Sequence, residues 1–141
     1  MNPLPDIHQL LPQQAPFLLI DRLVSIDEWT AVSSLTVQSA TPFTENGALQ
    51  ASGIIENIAQ TCAAYIGMRQ WPKVEIGVIG AIPELEIKQL PLIGETITTR
   101  ICVEAEAWGM SSISATVCLR ETRIATGRMK IALTNQSLSK P

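Results

Sequence analysis

The residues best suited to chemistry lie at the start of an apolar segment in the middle of the chain. Apolar side chains recur from Ile54 to Ile66 at the spacing of an α-helix that buries a broad face. Glu56 stands among them near the predicted helix start, and Gln60 follows four residues later on the same face. A carboxyl group in apolar surroundings suits proton transfer, but an acid near a helix N-terminus also simply stabilises the helix. The pattern alone leaves both interpretations open.

Small residues occupy the predicted start of this helix. Ser52 is a reasonable N-cap, and Ala51 and Gly53 flank it. The first backbone N–H groups of a helix have no partner inside the helix, and small side chains let a ligand approach them. We therefore expect Ala51, Ser52 and Gly53 to bind a substrate carbonyl oxygen that gains negative charge during a reaction.

These residues need a fold that holds them in place, and hydropathy patterning predicts an α+β fold. The expected elements are a hairpin (17–26 and 29–37), a loop (39–50), one long helix, and three or four consecutive antiparallel strands after residue 73. The helix and the strands each need the other to bury an apolar face, which predicts a curved antiparallel sheet wrapped around one long central helix. We expect a single domain over residues 1–141, with a frayed polar tail at 134–141.

Composition and charge argue against several classes of function. The chain is 46% hydrophobic and 16% charged, and it has a formal net charge of -3 with only ten scattered basic residues. This is not the electrostatic pattern of a nucleic-acid-binding protein. No apolar run approaches the roughly 18 to 20 residues that a membrane span needs, and the N-terminus lacks the basic region of a signal peptide. The expected location is the cytoplasm, with neither nucleic acid nor membrane as a partner.

Nucleophilic and metal-ligating residues do not cluster in the sequence. Cys62, Cys102 and Cys118 each lie in an apolar or alternating run and lack metal-ligand spacing, so we expect three buried thiols and no metal site. His8 is the only histidine, and it belongs to a short predicted helix at the N-terminus. A solvated or capping role is expected for it.

Three stretches of the chain resemble the β-hydroxyacyl-carrier-protein dehydratases. They are L-L-P-Q-Q-A-P-F-L-L-I-D-R-L at 10–23, G-I-I-E-N-I-A-Q-T at 53–61 and the turn P-L-I-G-E at 91–95. The resemblance implies a hot-dog fold, a dimer whose two sheets join edge to edge, and acyl tunnels at the subunit interface. It also implies no cofactor beyond the phosphopantetheine arm of an acyl carrier protein, or coenzyme A, which carries the acyl thioester.

The two catalytic positions of that family fall on different kinds of residue here. In the family, a histidine in a His-Phe-Pro-Gly loop removes the α proton, and a Glu or Asp on the partner's central helix helps to expel the 3-hydroxyl. The acidic position matches Glu56, whereas the His-Phe pair matches Pro42 and Phe43. A proline ring in a peptide has no titratable nitrogen, so Pro42 cannot act as a general base. We expect Phe43 and Gln60 to contact the substrate beside Glu56.

In lacking the loop histidine, the chain resembles the small dehydratase-like proteins of aryl polyene gene clusters. Those proteins associate with a histidine-bearing relative. The resemblance therefore implies a homodimer, or a heteromer with a histidine-containing hot-dog dehydratase, that acts on a 3-hydroxyacyl-[acyl-carrier-protein]. Two other functions stay open. One is a hot-dog acyl thioesterase that uses Glu56 on water or on the thioester, and the other is a non-catalytic acyl-binding or scaffolding partner of an active dehydratase.

Overall fold

The structure, a computed structural model, describes residues 4–11, 17–70 and 75–137. Its elements in chain order are α1 (Ile7–Leu10), β1 (Arg22–Ile26), β2 (Thr30–Thr36), β3 (Thr44–Glu45), β4 (Ala48–Leu49), α2 (Ala51–Gln70), β5 (Glu75–Ile87), β6 (Thr96–Ala107), β7 (Met110–Leu119) and β8 (Thr122–Ser137). The predicted hairpin corresponds to β1 and β2, and the predicted consecutive strands correspond to β5 through β8.

The long strands form one six-stranded antiparallel sheet in the order β1-β2-β6-β7-β8-β5. Side chains alternate along β6, so that Ile97 and Ile101 face inward while Arg100 is exposed. α2 packs on the inner face and buries Ile54 and Ile58 in the same apolar core. The predicted hot-dog fold, one long helix packed against an antiparallel sheet, is confirmed.

The long helix begins two residues earlier than a Ser52 N-cap would place it. The carbonyl oxygen of Gln50 accepts hydrogen bonds from the N–H groups of Gly53 and Ile54 at 2.9 and 3.1 Å. The helical bonding therefore starts at Gln50, and Ala51 is the first helical residue. The prediction of Ser52 as the N-cap is wrong, because Ser52 lies exposed within the first turn.

The strand and loop boundaries also differ from the prediction in three places. Residues 17–21 precede β1 and are not part of it, because side chains of α2 bind the backbone N–H and C=O of Leu19. The predicted loop 39–50 contains the short strands β3 and β4. The frayed tail is wrong for residues 134–137, since β8 continues to Ser137, which pairs with Glu75. Residues 138–141 lie outside the described residues.

Gly67 marks the place where α2 passes closest to the N-terminal lead-in. A Cβ atom added to Gly67 would lie 2.8 Å from the backbone oxygen of Leu10. Glycine to alanine normally stabilises a helix interior by about 0.5 to 1 kcal/mol, but here the added methyl group must displace backbone. We expect Gly67→Ala to lower the free energy of unfolding by about 1 to 3 kcal/mol. Denaturant unfolding measures it, and a stabilised variant would contradict this packing.

Only one of the three cysteines is as deeply buried as predicted. Cys62 is fully buried on α2, whereas Cys102 and Cys118 are half-buried because they alternate with core residues on β6 and β7. Burial raises the pKa of the Cys62 thiol to about 12, since a thiolate there would lose its hydration.

Alkylation of the native protein at pH 8 should therefore separate the cysteines. At a pKa of about 12, only about one Cys62 thiol in ten thousand is ionised at that pH, and the thiolate is the reactive species. We expect mass spectrometry after iodoacetamide treatment to find Cys102 and Cys118 modified well before Cys62. All three should react after denaturation. Equal rates in the native protein would show that Cys62 is not enclosed.

Candidate functional site

Glu56 lies on the least buried face of α2. Ile55, Ala59 and Ala63 share this face and are half-buried, as Glu56 itself is, while Ile54 on the opposite side is fully buried. The carboxylate is held in place, because its Oε1 atom accepts a hydrogen bond from Gln60 Nε2 at 3.1 Å. Among the described residues no donor reaches Oε2, which leaves that oxygen free to face a ligand.

The amide of Gln60 is almost fully occupied by the protein itself. Gln60 is 1% exposed, and its Oε1 atom accepts the N–H of Leu19 at 2.7 Å. Its Nε2 atom donates to the carbonyl oxygen of Phe17 at 2.9 Å as well as to Glu56. Both amide hydrogens are therefore used. The i+4 contact with Glu56 is confirmed, and contact of Gln60 with substrate stays a prediction.

The loop before α2 packs directly onto the start of the helix. A Cβ atom added to Gly53 would lie 2.3 Å from Leu49 Cδ1 and 3.2 Å from Phe43 Cβ, so this contact needs a glycine. Phe43 has a φ of 63° and its side chain is 51% exposed. The structure thus places Phe43 at the helix start with an exposed apolar ring, and its contact with substrate stays a prediction.

The hydrogen bonds reduce the set of backbone N–H groups that could bind an oxyanion. The N–H of Gly53 already donates to Gln50 O. Within the described residues, no acceptor is found for the N–H groups of Ala51 and Ser52, and both residues are exposed. These two groups remain the candidates for a developing oxyanion, whereas Gly53 serves to let the loop approach.

Glu56 does not line the cavity beside Pro42. A cavity of about 220 Å³ lies beside Pro42 and is also lined by Leu18, Asp21 and Leu35, but not by Glu56. This cavity therefore contains the loop position that carries the family's base, but not the carboxylate with which the family pairs it.

His8 belongs to α1, which packs against α2 well beyond Glu56 along the helix. α1 contacts α2 near Gly67, where the carbonyl of Leu10 lies against the helix. Gly67 is eleven residues after Glu56, which is about 16 Å along a helix. His8 is exposed on α1, and its N–H bonds the side chain of Asp6.

A second cavity, of about 420 Å³, lies at the opposite end of α2. Arg69 Nη1 donates there to Tyr65 Oη and to Glu106 Oε1, both at 3.1 Å. Burial raises the pKa of Tyr65 above its ordinary value. Trp108 lines this cavity and is fully exposed. Trp108 has a φ of 58° and, with Gly109, forms the tight turn between β6 and β7.

Across residues 4–11, 17–70 and 75–137, no group of three or more His, Cys, Asp or Glu side chains is arranged to hold a metal ion. Nor does any helix in that part of the chain have the length and hydropathy to cross a membrane.

The chain is similar in sequence to known dehydratases. A family model described as "ApeP-like: ApeP dehydratase" matches residues 5–139. The chain is 23% identical over 135 residues to the 3-hydroxyacyl-[acyl-carrier-protein] dehydratase FabZ of Ruminiclostridium cellulolyticum, which covers 92% of this chain and 95% of that protein. Both matches span nearly the whole chain.

Solved structures share the fold. The dehydratase heterocomplex ApeI:P from Xenorhabdus doucetiae superposes with a TM-score of 0.85 at 17% identity, covering 94% of this chain and 93% of that one. A hypothetical thioesterase with coenzyme A from Streptococcus pneumoniae gives 0.66 at 9% identity, covering 82% and 86%. These likenesses confirm the architecture, and the family match is specific. The chain belongs to the ApeP-like family of dehydratases.

Proposed function

We propose that this chain is the carboxylate-bearing subunit of a 3-hydroxyacyl-[acyl-carrier-protein] dehydratase whose general base comes from a histidine-bearing hot-dog partner. One observation carries the proposal: Glu56 is held by Gln60 on a half-buried helix face, while the loop position of the base is Pro42. The similar structure of ApeI:P is itself a heterocomplex of dehydratase chains, which supports a mixed assembly.

The proposed chemistry divides the elimination of water between two chains. A base removes the proton at the α carbon, the electron pair forms the double bond, and an acid protonates the departing 3-hydroxyl, which leaves as water. In this chain Glu56 supplies that proton from Oε2, and the N–H groups of Ala51 and Ser52 stabilise the enolate-like thioester oxygen. The partner's histidine takes the α proton.

The surface around Glu56 fits a second hot-dog chain. Ile55, Ala59 and Ala63 leave an apolar stripe half-covered on α2, and β5 lies at the edge of the sheet. The 13 residues of β5 pair on one side with β8, which leaves the other edge open in the single chain. An open edge of this length favours pairing with another strand. A partner sheet joined there would also cover the helix stripe.

The remaining parts of the proposal concern the substrate and its setting. The elimination is redox-neutral and needs only an acid and a base, so the chain requires no cofactor of its own. The acyl group arrives on the phosphopantetheine of an acyl carrier protein or on coenzyme A. A cytoplasmic location remains the prediction from the sequence.

A dehydration assay on a 3-hydroxyacyl carrier protein tests the proposal. The partner is identified from the mass of the native complex purified from the host. This chain alone should give no turnover, and the mixture should exceed the sum of the separate proteins. Full turnover by the isolated chain would contradict the division of labour.

Release of free thiol, followed in the same reactions, tests the thioesterase alternative. The observation that favours this alternative is the shared fold with the hypothetical thioesterase from Streptococcus pneumoniae. Thiol release that depends on Glu56, in the absence of dehydration, would select it.

A further inference from the structure

A continuous series of hydrogen bonds connects the middle of β6 with Glu56. Thr99 Oγ1 donates to Asn57 Oδ1 at 2.5 Å, and Asn57 Nδ2 donates to the carbonyl oxygen of Leu19 at 2.8 Å. The N–H of Leu19 donates to Gln60 Oε1 at 2.7 Å, and Gln60 Nε2 donates to Glu56 Oε1 at 3.1 Å. Every donor in the series points toward the carboxylate.

The series lies in the core, where its geometry is tightly constrained. Thr99 and Asn57 are 0% exposed, and Gln60 is 1% exposed. Buried polar groups are costly unless they are paired, and a fully paired network fixes one arrangement of its members. The hydroxyl of Thr99 makes Asn57 Oδ1 an acceptor, so Asn57 Nδ2 must face Leu19. The same reasoning fixes the amide of Gln60, because Leu19 N–H occupies its oxygen.

Asn57 and Gln60 together clamp one residue of the N-terminal segment. Asn57 binds the C=O of Leu19, and Gln60 binds its N–H. Leu19 is therefore fixed at both of its backbone polar groups by neighbouring side chains of α2. Without the bond from Asn57, Leu19 is held only through its N–H, so the group that orients Gln60 Oε1 is less firmly fixed, although the bond from Gln60 Nε2 to the carbonyl oxygen of Phe17 remains.

We propose that Asn57 is a positioning residue for Glu56. Asn57 fixes Leu19, Leu19 orients the amide of Gln60, and Gln60 holds Oε1 of the carboxylate so that Oε2 faces the substrate. The consequence for the reaction rate rests on the proposed function, whereas the consequence for the conformation of Glu56 does not.

Two substitutions break the series without touching Glu56 or Gln60. Asn57→Leu keeps the side-chain shape and removes both hydrogen bonds, and Thr99→Val removes only the first donor. The matched control is Thr61→Val. Thr61 is also 0% exposed, and its hydroxyl pairs with Ser33 at 2.7 Å and with the backbone oxygen of Asn57 at 2.8 Å. It lies outside the route to Leu19.

In the reconstituted complex, we expect Asn57→Leu to lower kcat by about 10-fold with KM within about two-fold, since misplacement of a catalytic group by a fraction of an ångström has effects of this order. Thr99→Val should lower kcat by a smaller factor, about three-fold. Thr61→Val should lower the melting temperature to a similar extent as Thr99→Val yet leave kcat nearly unchanged. Equal kcat losses in Thr99→Val and Thr61→Val would overturn the proposal.

A crystallographic readout separates this inference from the function. The wild type should show Glu56 in one rotamer bound to Gln60, and Thr99→Val and Asn57→Leu should show it in more than one. If the complex never dehydrates substrate, the proposed function fails, and the rotamer comparison still decides the positioning role. A single unchanged rotamer in Thr99→Val overturns it even if Asn57→Leu does not fold.

Discussion

In the reconstituted complex, Glu56→Gln is expected to lower kcat for dehydration by about 10²- to 10⁴-fold, the range found for loss of a positioned general acid or base. The amide cannot donate a proton to a departing hydroxyl as a carboxylic acid does. Its oxygen can still accept the hydrogen bond from Gln60 Nε2, so the fold and the acyl site should remain intact. Steady-state dehydration of a 3-hydroxyacyl carrier protein measures the effect.

The control for this substitution is Glu28→Gln. Glu28 is exposed in the turn between β1 and β2, and its backbone oxygen accepts the hydrogen bond from Tyr65 at the other end of α2. The same change of charge there should leave kcat within about two-fold, as for a surface carboxylate without a catalytic contact. A comparably small loss in Glu56→Gln would remove the carboxylate from the mechanism.

The second large expected effect is the recovery of dehydration when Pro42→His is added to the inactive Glu56→Gln chain. The family arrangement pairs a loop histidine of one chain with a helix carboxylate of the other, so a mixed dimer has two potential sites. One uses Glu56 with the partner's histidine, and the other is disabled by Pro42. Introducing Pro42→His into the Glu56→Gln chain should repair the disabled site, provided that the partner has its own helix carboxylate. We expect recovery of about 10²-fold in kcat, in line with a positioned general base.

A histidine elsewhere in the same loop is the control for this rescue. Ala40 is exposed and lines the cavity beside Pro42. Ala40→His in the Glu56→Gln background adds the same imidazole two residues away and should recover nothing. Equal recovery from both positions, or recovery from neither, would argue against Pro42 as the place of the missing base.

Local pattern predicted the elements that carry the site. The 3.6-residue period from Ile54 to Ile66 defined α2 to within a few residues, and the i+4 spacing anticipated the contact between Glu56 and Gln60. These features depend only on neighbours in sequence. The exact helix start did not follow, because it depends on the carbonyl of Gln50 rather than on a capping side chain.

Long-range contacts explain what the sequence could not predict. The apolar run from Phe17 was interpreted as the start of a strand, but the backbone of Leu19 is bound by Asn57 and Gln60, 38 and 41 residues away. Nothing in the local pattern marks Asn57 as a partner of Leu19 or of Thr99. A turn with two positive φ values likewise places Trp108 outside the core.

The most direct measurement is complementation of a disabled partner. A histidine-bearing partner whose own helix carboxylate has been removed should be inactive alone, and addition of this chain should restore dehydration, because Glu56 then faces the intact imidazole across the interface. The Glu56→Gln chain should bind that partner equally well and restore nothing. A partner variant that stays inactive in a stable complex with the wild-type chain would contradict the account.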